Sequence, residues 1–193
     1  HPVVARPRPE AAAVAAFRDT ALGGARGPLV LVLPGSRKGE VTRLAPTFGQ
    51  ALSRLAHARP GLRVVLPAAP SVGGLVRAAV AEWQVPVQVL EPAADPDGTR
   101  KAAAFAAADV ALAASGTVSL ELAAAGTPMV IGYDMAWLTL QIMRRMVRVD
   151  TVTLVNLVSE TRAVPEYIGP DCRPDLLVQA FGAFFQIQGL AGV

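Results

Sequence analysis

Five short apolar runs, 29–33, 62–66, 86–90, 109–113 and 129–133, alternate with segments of helical periodicity, and this alternation constrains the fold more than any other feature of the chain. Between the first two runs, Val41, Leu44, Phe48, Leu52 and Leu55 recur at three- and four-residue steps, which puts them on one face of a helix over 38–58. The run LVLVL at 29–33 shows no polar alternation, as expected of a strand covered on both faces. Further helices are predicted over 72–82, 99–107, 117–125, 136–148 and 174–187, with a short one at 10–18, a loop at 92–98 and a last extended piece at 152–155. Strand–helix–strand units of this length build a parallel sheet through right-handed crossovers, with helices on both faces. The predicted class is α/β, a doubly wound, Rossmann-like domain over 29–193. Pro2, Pro7, Pro9, Gly23, Gly24, Gly27 and Pro28 mark 1–28 as a linker or crossover segment.

A chain of 193 residues suffices for one domain with a sizeable core. Its apolar share of 52% is largely alanine, with only 5% aromatic residues, which suits helices lying close on a sheet. The formal charge of +3 permits phosphorylated small molecules or an anionic membrane surface, but falls short of the basic patch of a nucleic-acid binder. Cys172 is the only cysteine, which excludes an internal disulfide and fits a reducing compartment; His1 and His57 are the only imidazoles, so no metal site is expected. The alanine-rich run 102–114 is interrupted by Asp109 and too short to span a bilayer. The opening His1-Pro2, without a methionine, reads as part of a longer chain.

In open α/β sheets ligands sit beyond the carboxyl ends of the strands. Two loops fall there: Pro34-Gly35-Ser36-Arg37 after the first strand, and Ala114-Ser115-Gly116-Thr117 after the fourth. The second opens a helix, whose start presents unpaired amides and about half a positive charge to an anion. Glu121 lies one turn beyond Thr117 on the same face, a carboxylate suited to a pair of sugar hydroxyls beside a diphosphate. Each loop alone reads equally as a turn with a serine cap and a solvated side chain. Both should open at the same sheet edge, however, where Arg37 could reach a diphosphate cradled by the Ser115 loop. Neither loop is a P-loop or a G-x-G-x-x-G turn.

The stretches LPGSRKGEVTRLAPTF, ASGTVSLELAAAGTPMVIGY and LTLQIMRRMVRVDTVTLVNLV…AVPEYIG closely resemble the lipid-A-disaccharide synthases, glycosyltransferases built from two Rossmann-like halves (GT-B). The resemblance runs from His1 to about residue 180. It implies an inverting transfer from UDP-2,3-diacylglucosamine to 2,3-diacylglucosamine 1-phosphate, giving the lipid A disaccharide and UDP. It also implies that this chain is the C-terminal, UDP-holding half. By the same resemblance Gly35, Ser36 and Arg37 face the donor diphosphate, and Ser115, Gly116 and Thr117 form the phosphate-binding helix start. Glu121 binds the nucleotide, and Asn156 lines the active cleft. Arg162 and Glu166, in the following loop, are weaker candidates. Arg37 would stabilise the departing UDP, with the helix dipole and cationic side chains in place of a divalent ion and no cofactor. The general base is expected in an N-terminal domain outside this sequence, leaving these residues to bind nucleotide without catalysing transfer alone. The family carries a basic residue after the tyrosine of IGY, where this chain has Asp134.

The segment MAWLTLQIMRRMVRV at 135–149 reads either as core with solvated arginines or as a basic amphipathic helix on an anionic membrane. Acylated substrates place the expected enzyme in the cytoplasm, peripheral on the inner face of the bacterial inner membrane. Phe181, Phe184, Phe185 and Ile187 in the C-terminal run are expected to be left bare and to promote self-association. The competing readings are a non-catalytic nucleotide-binding module and another UDP-N-acetylglucosamine-using transferase or epimerase.

Overall fold

The computed structural model describes residues 8–134, 151, 153–159, 163–187 and 189. The expected helix over 136–148, Arg162 and His1 lie outside these residues. Six parallel strands, β1 (Leu29–Leu33), β2 (Arg63–Pro67), β3 (Val87–Leu90), β4 (Val110–Ala114), β5 (Met129–Tyr133) and β6 (Glu166–Ile168), form one open sheet in the order β3-β2-β1-β4-β5-β6. The helices are α1 (Ala11–Leu22), α2 (Lys38–Ala58), α3 (Gly73–Ala81), α4 (Thr99–Ala107), α5 (Val118–Ala125), α6 (Leu154–Ser159) and α7 (Pro174–Ile187).

Strand β1 sets up the layers. Successive side chains of a strand point to opposite faces, so Val30 and Val32 pack with Leu44, Phe48 and Leu52 of α2 and with Leu177, Phe181 and Phe185 of α7. Leu29, Leu31 and Leu33 pack on the other face with Ala104 and Phe105 of α4 and Leu122 of α5. All five β1 residues are buried, which is why the run carries no polar alternation. Small residues fill this layer: Ala104 and Ala107 of α4 and Ala111 and Ala113 of β4 are all buried in it.

The α/β class and the five runs agree with the sequence, with strand ends shifted by a residue. Three expectations change. The helix predicted at 10–18 runs to Leu22, where Gly23 at φ 55° turns the chain and returns its amide to the Asp19 carbonyl. Val14, Phe17, Ala21 and Leu22 pack it onto the second core layer, so this part of the linker segment is docked on the sheet. Of the extended piece expected at 152–155, Leu154 and Val155 instead open helix α6, and the sixth strand is Glu166–Ile168, within what reads as a loop. Pro165 and Gly169-Pro170 bound it too tightly for any alternation to show. Finally, Phe181 and Phe185 are not bare: both are fully buried against α2, with Arg59 stacked 4.6 Å over the Phe185 ring, and Phe184 is partly buried.

Candidate functional site

Strands β1 and β4 are neighbours, with Leu33 level with Ala113. From β1 the chain winds outward through β2 to β3, then returns to lay β4 on the other side of β1. The β1–β4 junction is therefore the topological switch point, where loops diverge and leave a crevice above the strand ends. A cavity of about 570 Å³ occupies it, within the range of small-molecule sites. Gly35, Ser36 and Arg37 line one wall, Ser115, Gly116, Thr117 and Glu121 another; Leu154 of α6 also reaches it.

The first loop is organised by Glu40, which sequence reasoning passed over. Arg37, not Ser36, is the cap residue of α2, and Glu40 on the first helical turn folds back. Its Oε2 accepts from the Ser36 amide at 3.0 Å and the Arg37 amide at 3.3 Å, while Oε1 takes the Arg37 guanidinium at 3.0 Å. An acid three residues past a cap is a recognised signature, so the spacing was there to be read. Gly35 allows the closure: its φ is +113°, and a Cβ would stand 2.5 Å from Glu40 Oε2. Ser71 donates to the Ser36 carbonyl at 2.9 Å and ties the loop to the end of β2.

These bonds divide the loop's labour. Glu40 occupies the two amides, which leaves the Ser36 side chain and the Arg37 guanidinium as the loop's groups toward the cavity. The Arg37 side chain is 83% exposed and its pair with Glu40 is worth only about 0.2–0.5 kcal/mol in such a setting. A charge-assisted bond to a phosphate contributes about 1.5–3 kcal/mol, enough to draw Arg37 inward.

The second loop leaves more of its backbone open to the cavity. Helix α5 begins with Thr117 as its cap residue, and the Thr117 side chain makes no cap bond. Ser119 returns its amide to the Gly116 carbonyl at 3.2 Å. The amides ahead of it have no intrahelical acceptor, as at any helix start. Gly116 has a φ of +153°, and no heavy atom stands within 4 Å of where its Cβ would be; the backbone there faces open space.

Acids and bases along the cavity come as pairs. Glu121 Oε2 accepts from Lys101 Nζ at 2.7 Å, and Glu91 holds Arg77 at 2.6 Å. Asp95 caps α4, accepting from the amides of Arg100 at 2.9 Å and Lys101 at 2.8 Å. Nothing in the sequence singled out Lys101 or Asp95: Lys101 lies on the first turn of α4, twenty residues before Glu121, and Asp95 in the loop ahead of it.

Asn156 and Glu166 are brought to each other, not to this cavity. Asn156 is buried; its Nδ2 donates to the Val164 carbonyl at 2.9 Å and Glu166 Oε1 at 3.1 Å, and its Oδ1 accepts from the Val164 amide at 3.1 Å. Glu166 Oε1 also accepts from the Thr153 amide at 2.8 Å and from the Thr151 hydroxyl. Together they latch α6 to β6.

A larger groove of about 920 Å³ runs along the opposite sheet edge, past His57, Arg63 and Trp83. Helices α2 and α3 end there, and helix C-termini present partial negative charge, a poor setting for an anion. It also removes His57 from the chemistry at the switch point. Among the described residues no group of three or more His, Cys, Asp or Glu gathers to hold a metal, and no helix is long and apolar enough to cross a membrane.

Comparison with solved structures fits this architecture. The chain superposes on ADP-heptose LPS heptosyltransferase II of E. coli with a TM-score of 0.66 at 11% identity, over 93% of this chain and 53% of that one. It superposes on the UDP-GlcNAc 2-epimerase of Neisseria meningitidis, solved with UDP-GlcNAc bound, with a TM-score of 0.56 at 13% identity, over 92% and 41%. At such identities the likeness is one of fold. Sequence comparison goes further. The lipid-A-disaccharide synthase of Ruegeria pomeroyi is 56% identical over 186 residues, 95% of this chain and 46% of that protein. That of Rhodopseudomonas palustris is 47% identical over 173 residues, 90% and 41%. The chain thus spans somewhat less than half the length of these relatives. With the profile of the lipid-A-disaccharide synthetases matching residues 1–186, the chain belongs to that family.

Proposed function

We propose that this chain supplies the donor-binding half of a lipid-A-disaccharide synthase. The enzyme would transfer 2,3-diacylglucosamine, with inversion, from its UDP derivative to 2,3-diacylglucosamine 1-phosphate. The observation that carries the reading is the convergence of the Arg37 loop and the α5 start on one cavity at the switch point. In it the diphosphate lies against the amides at Gly116 and Thr117, and Arg37 turns from Glu40 to the departing phosphate. Glu121 accepts from the ribose hydroxyls. Fixed dipoles and one guanidinium then stabilise the negative charge that develops on UDP as the glycosidic bond breaks, in the role a divalent ion fills elsewhere. The UDP-GlcNAc bound by a protein of this fold supports the choice of a UDP-sugar.

No described residue of the cavity is an imidazole, and its acids are engaged with amides or cations. In this reading the base that deprotonates the acceptor hydroxyl comes from the N-terminal half, as the family resemblance implies, and the chain alone binds donor without turnover. Acylated substrates set the reaction at the inner face of the membrane. Titration calorimetry with UDP tests the reading. Arg37→Ala should weaken binding by about one to two decades, the equivalent of one charge-assisted bond. Unchanged affinity would remove Arg37 from the donor site. Disaccharide formation after adding the N-terminal half of a relative would separate an enzyme half from a binding module.

A further inference from the structure

Glu121 is the residue this reading assigns to the ribose, and its carboxylate does not stand alone. Lys101 Nζ donates to Oε2 at 2.7 Å, from a different helix and twenty residues earlier in the chain. The ammonium is itself held. It sits 5.1 Å from the centroid of the Phe105 ring, one turn along α4, and Phe105 is part of the buried core. At the other end of the residue, Asp95 Oδ2 accepts from the Lys101 amide at 2.8 Å and fixes the first turn of α4. Both side chains are mostly sheltered, with 37% of the lysine and 21% of the glutamate exposed, so the pair is a fixed one.

Two consequences follow for a ligand in the cavity. A carboxylate that accepts from two vicinal hydroxyls must hold its plane, and an untethered glutamate loses rotamer freedom on binding. The bond to Lys101 removes much of that freedom beforehand. The same bond also sets a positive charge beside Glu121, next to the helix start that would take the diphosphate. Without it, two anions would face each other across one helical turn.

We propose that Lys101 is a positioning residue for nucleotide recognition: it orients the Glu121 carboxylate for the ribose hydroxyls and offsets its charge against the neighbouring diphosphate. The inference rests on the donor-binding reading above and adds a residue to it. Lys101 acts through Glu121 and need not touch the nucleotide.

The test compares UDP with 2′-deoxy-UDP by titration calorimetry, on the chain as it stands and on Lys101→Met and Lys101→Arg, with circular dichroism as the check of folding. The unaltered chain should prefer the ribonucleotide by about tenfold, the scale of one hydrogen bond to a charged acceptor. Lys101→Met should bring that preference below about threefold and weaken UDP, whereas Lys101→Arg should keep it, since the guanidinium can still hold Glu121. If Lys101→Met weakens both ligands alike and keeps the full preference, the lysine supplies only general charge and the inference is overturned. Failure of Lys101→Met to fold would overturn it equally, by making the pair a structural one. If the unaltered chain binds UDP but shows no preference, the assignment of Glu121 to the ribose falls first, and Lys101 with it.

Discussion

Arg18 and Asp109 are 91 residues apart in the chain, yet the guanidinium donates to the carboxylate at 2.9 Å. The same Asp109 oxygen accepts from the Leu29 amide at 2.8 Å, and Arg18 also donates to the Ala107 carbonyl at 2.6 Å. One carboxylate thus ties α1, the entry of β1 and the entry of β4. Asp109→Ala should destabilise the chain by about 1–3 kcal/mol, because it leaves the buried Leu29 amide without its carboxylate acceptor and Arg18 with only the Ala107 carbonyl. Asp109→Asn keeps an acceptor for Leu29 and should cost about half as much. Urea unfolding measures both, and proteolysis within 11–22 should accelerate in Asp109→Ala if α1 is released.

Glu40 separates two roles in the Arg37 loop. Glu40→Gln retains an oxygen for the Ser36 and Arg37 amides but gives up the ion pair, so UDP affinity should stay within about threefold of the original or rise. Glu40→Ala leaves the amides without an acceptor and should cost about 1 kcal/mol of stability and roughly tenfold in UDP affinity as the loop loosens. Calorimetry on both variants checks this. Equal losses would mean that the charge on Glu40, rather than its capping bonds, shapes the loop.

The contrast between these residues explains what could be read beforehand. Periodicity delivered five of the six strands because Val30 and Leu31 must each face a different apolar layer. The switch-point loops were legible because glycine and serine at a strand end have few other uses. What stayed hidden depends on distant partners. Leu154–Ser159 carries strand-favouring residues, but the side chain of Asn156 bonds to the Val164 backbone and the segment closes as a helix. Strand β6, three residues long, exists only because β5 offers it an edge. Lys101 becomes meaningful only when α4 is laid beside α5. The resemblance led to Asn156 as a cleft residue, and no local signal could reveal that its bonds run to Val164 and Glu166.

Asn156 can therefore be tested as a latch. Its amide makes three hydrogen bonds in a buried setting, so Asn156→Ala should cost about 2–4 kcal/mol of stability. Asn156→Asp should cost more, since it sets a second carboxylate against Glu166. In both variants the fraction that remains folded should bind UDP as the unaltered chain does. A loss of UDP affinity without a loss of stability would instead bring Asn156 into the donor site.

Cys172 should make the fold lose stability at alkaline pH. Burial in the layer beneath α2, and then the nearby charge of Asp134, push its thiol from 9.0 to about 11, against a smaller opposing pull from a hydrogen bond to the Tyr133 backbone. A raised value means that the folded state keeps its proton where the unfolded chain has lost it. The thiol's contribution is thus fully present below pH 9 and disappears as pH rises toward 11. Over that window stability should fall by at most about 1.4 kcal/mol per pH unit, to a total on the order of 3 kcal/mol. Cys172→Ala should flatten the slope, and Asp134→Asn should lower the thiol's value and narrow the window from its upper end. Below the window the buried thiol should resist a disulfide reagent until the protein is unfolded. Denaturant titrations at several pH values, run on the chain and on Cys172→Ala, decide the matter. An equal slope in the two would assign the alkaline loss to another group, because the cysteine is the only one changed between them.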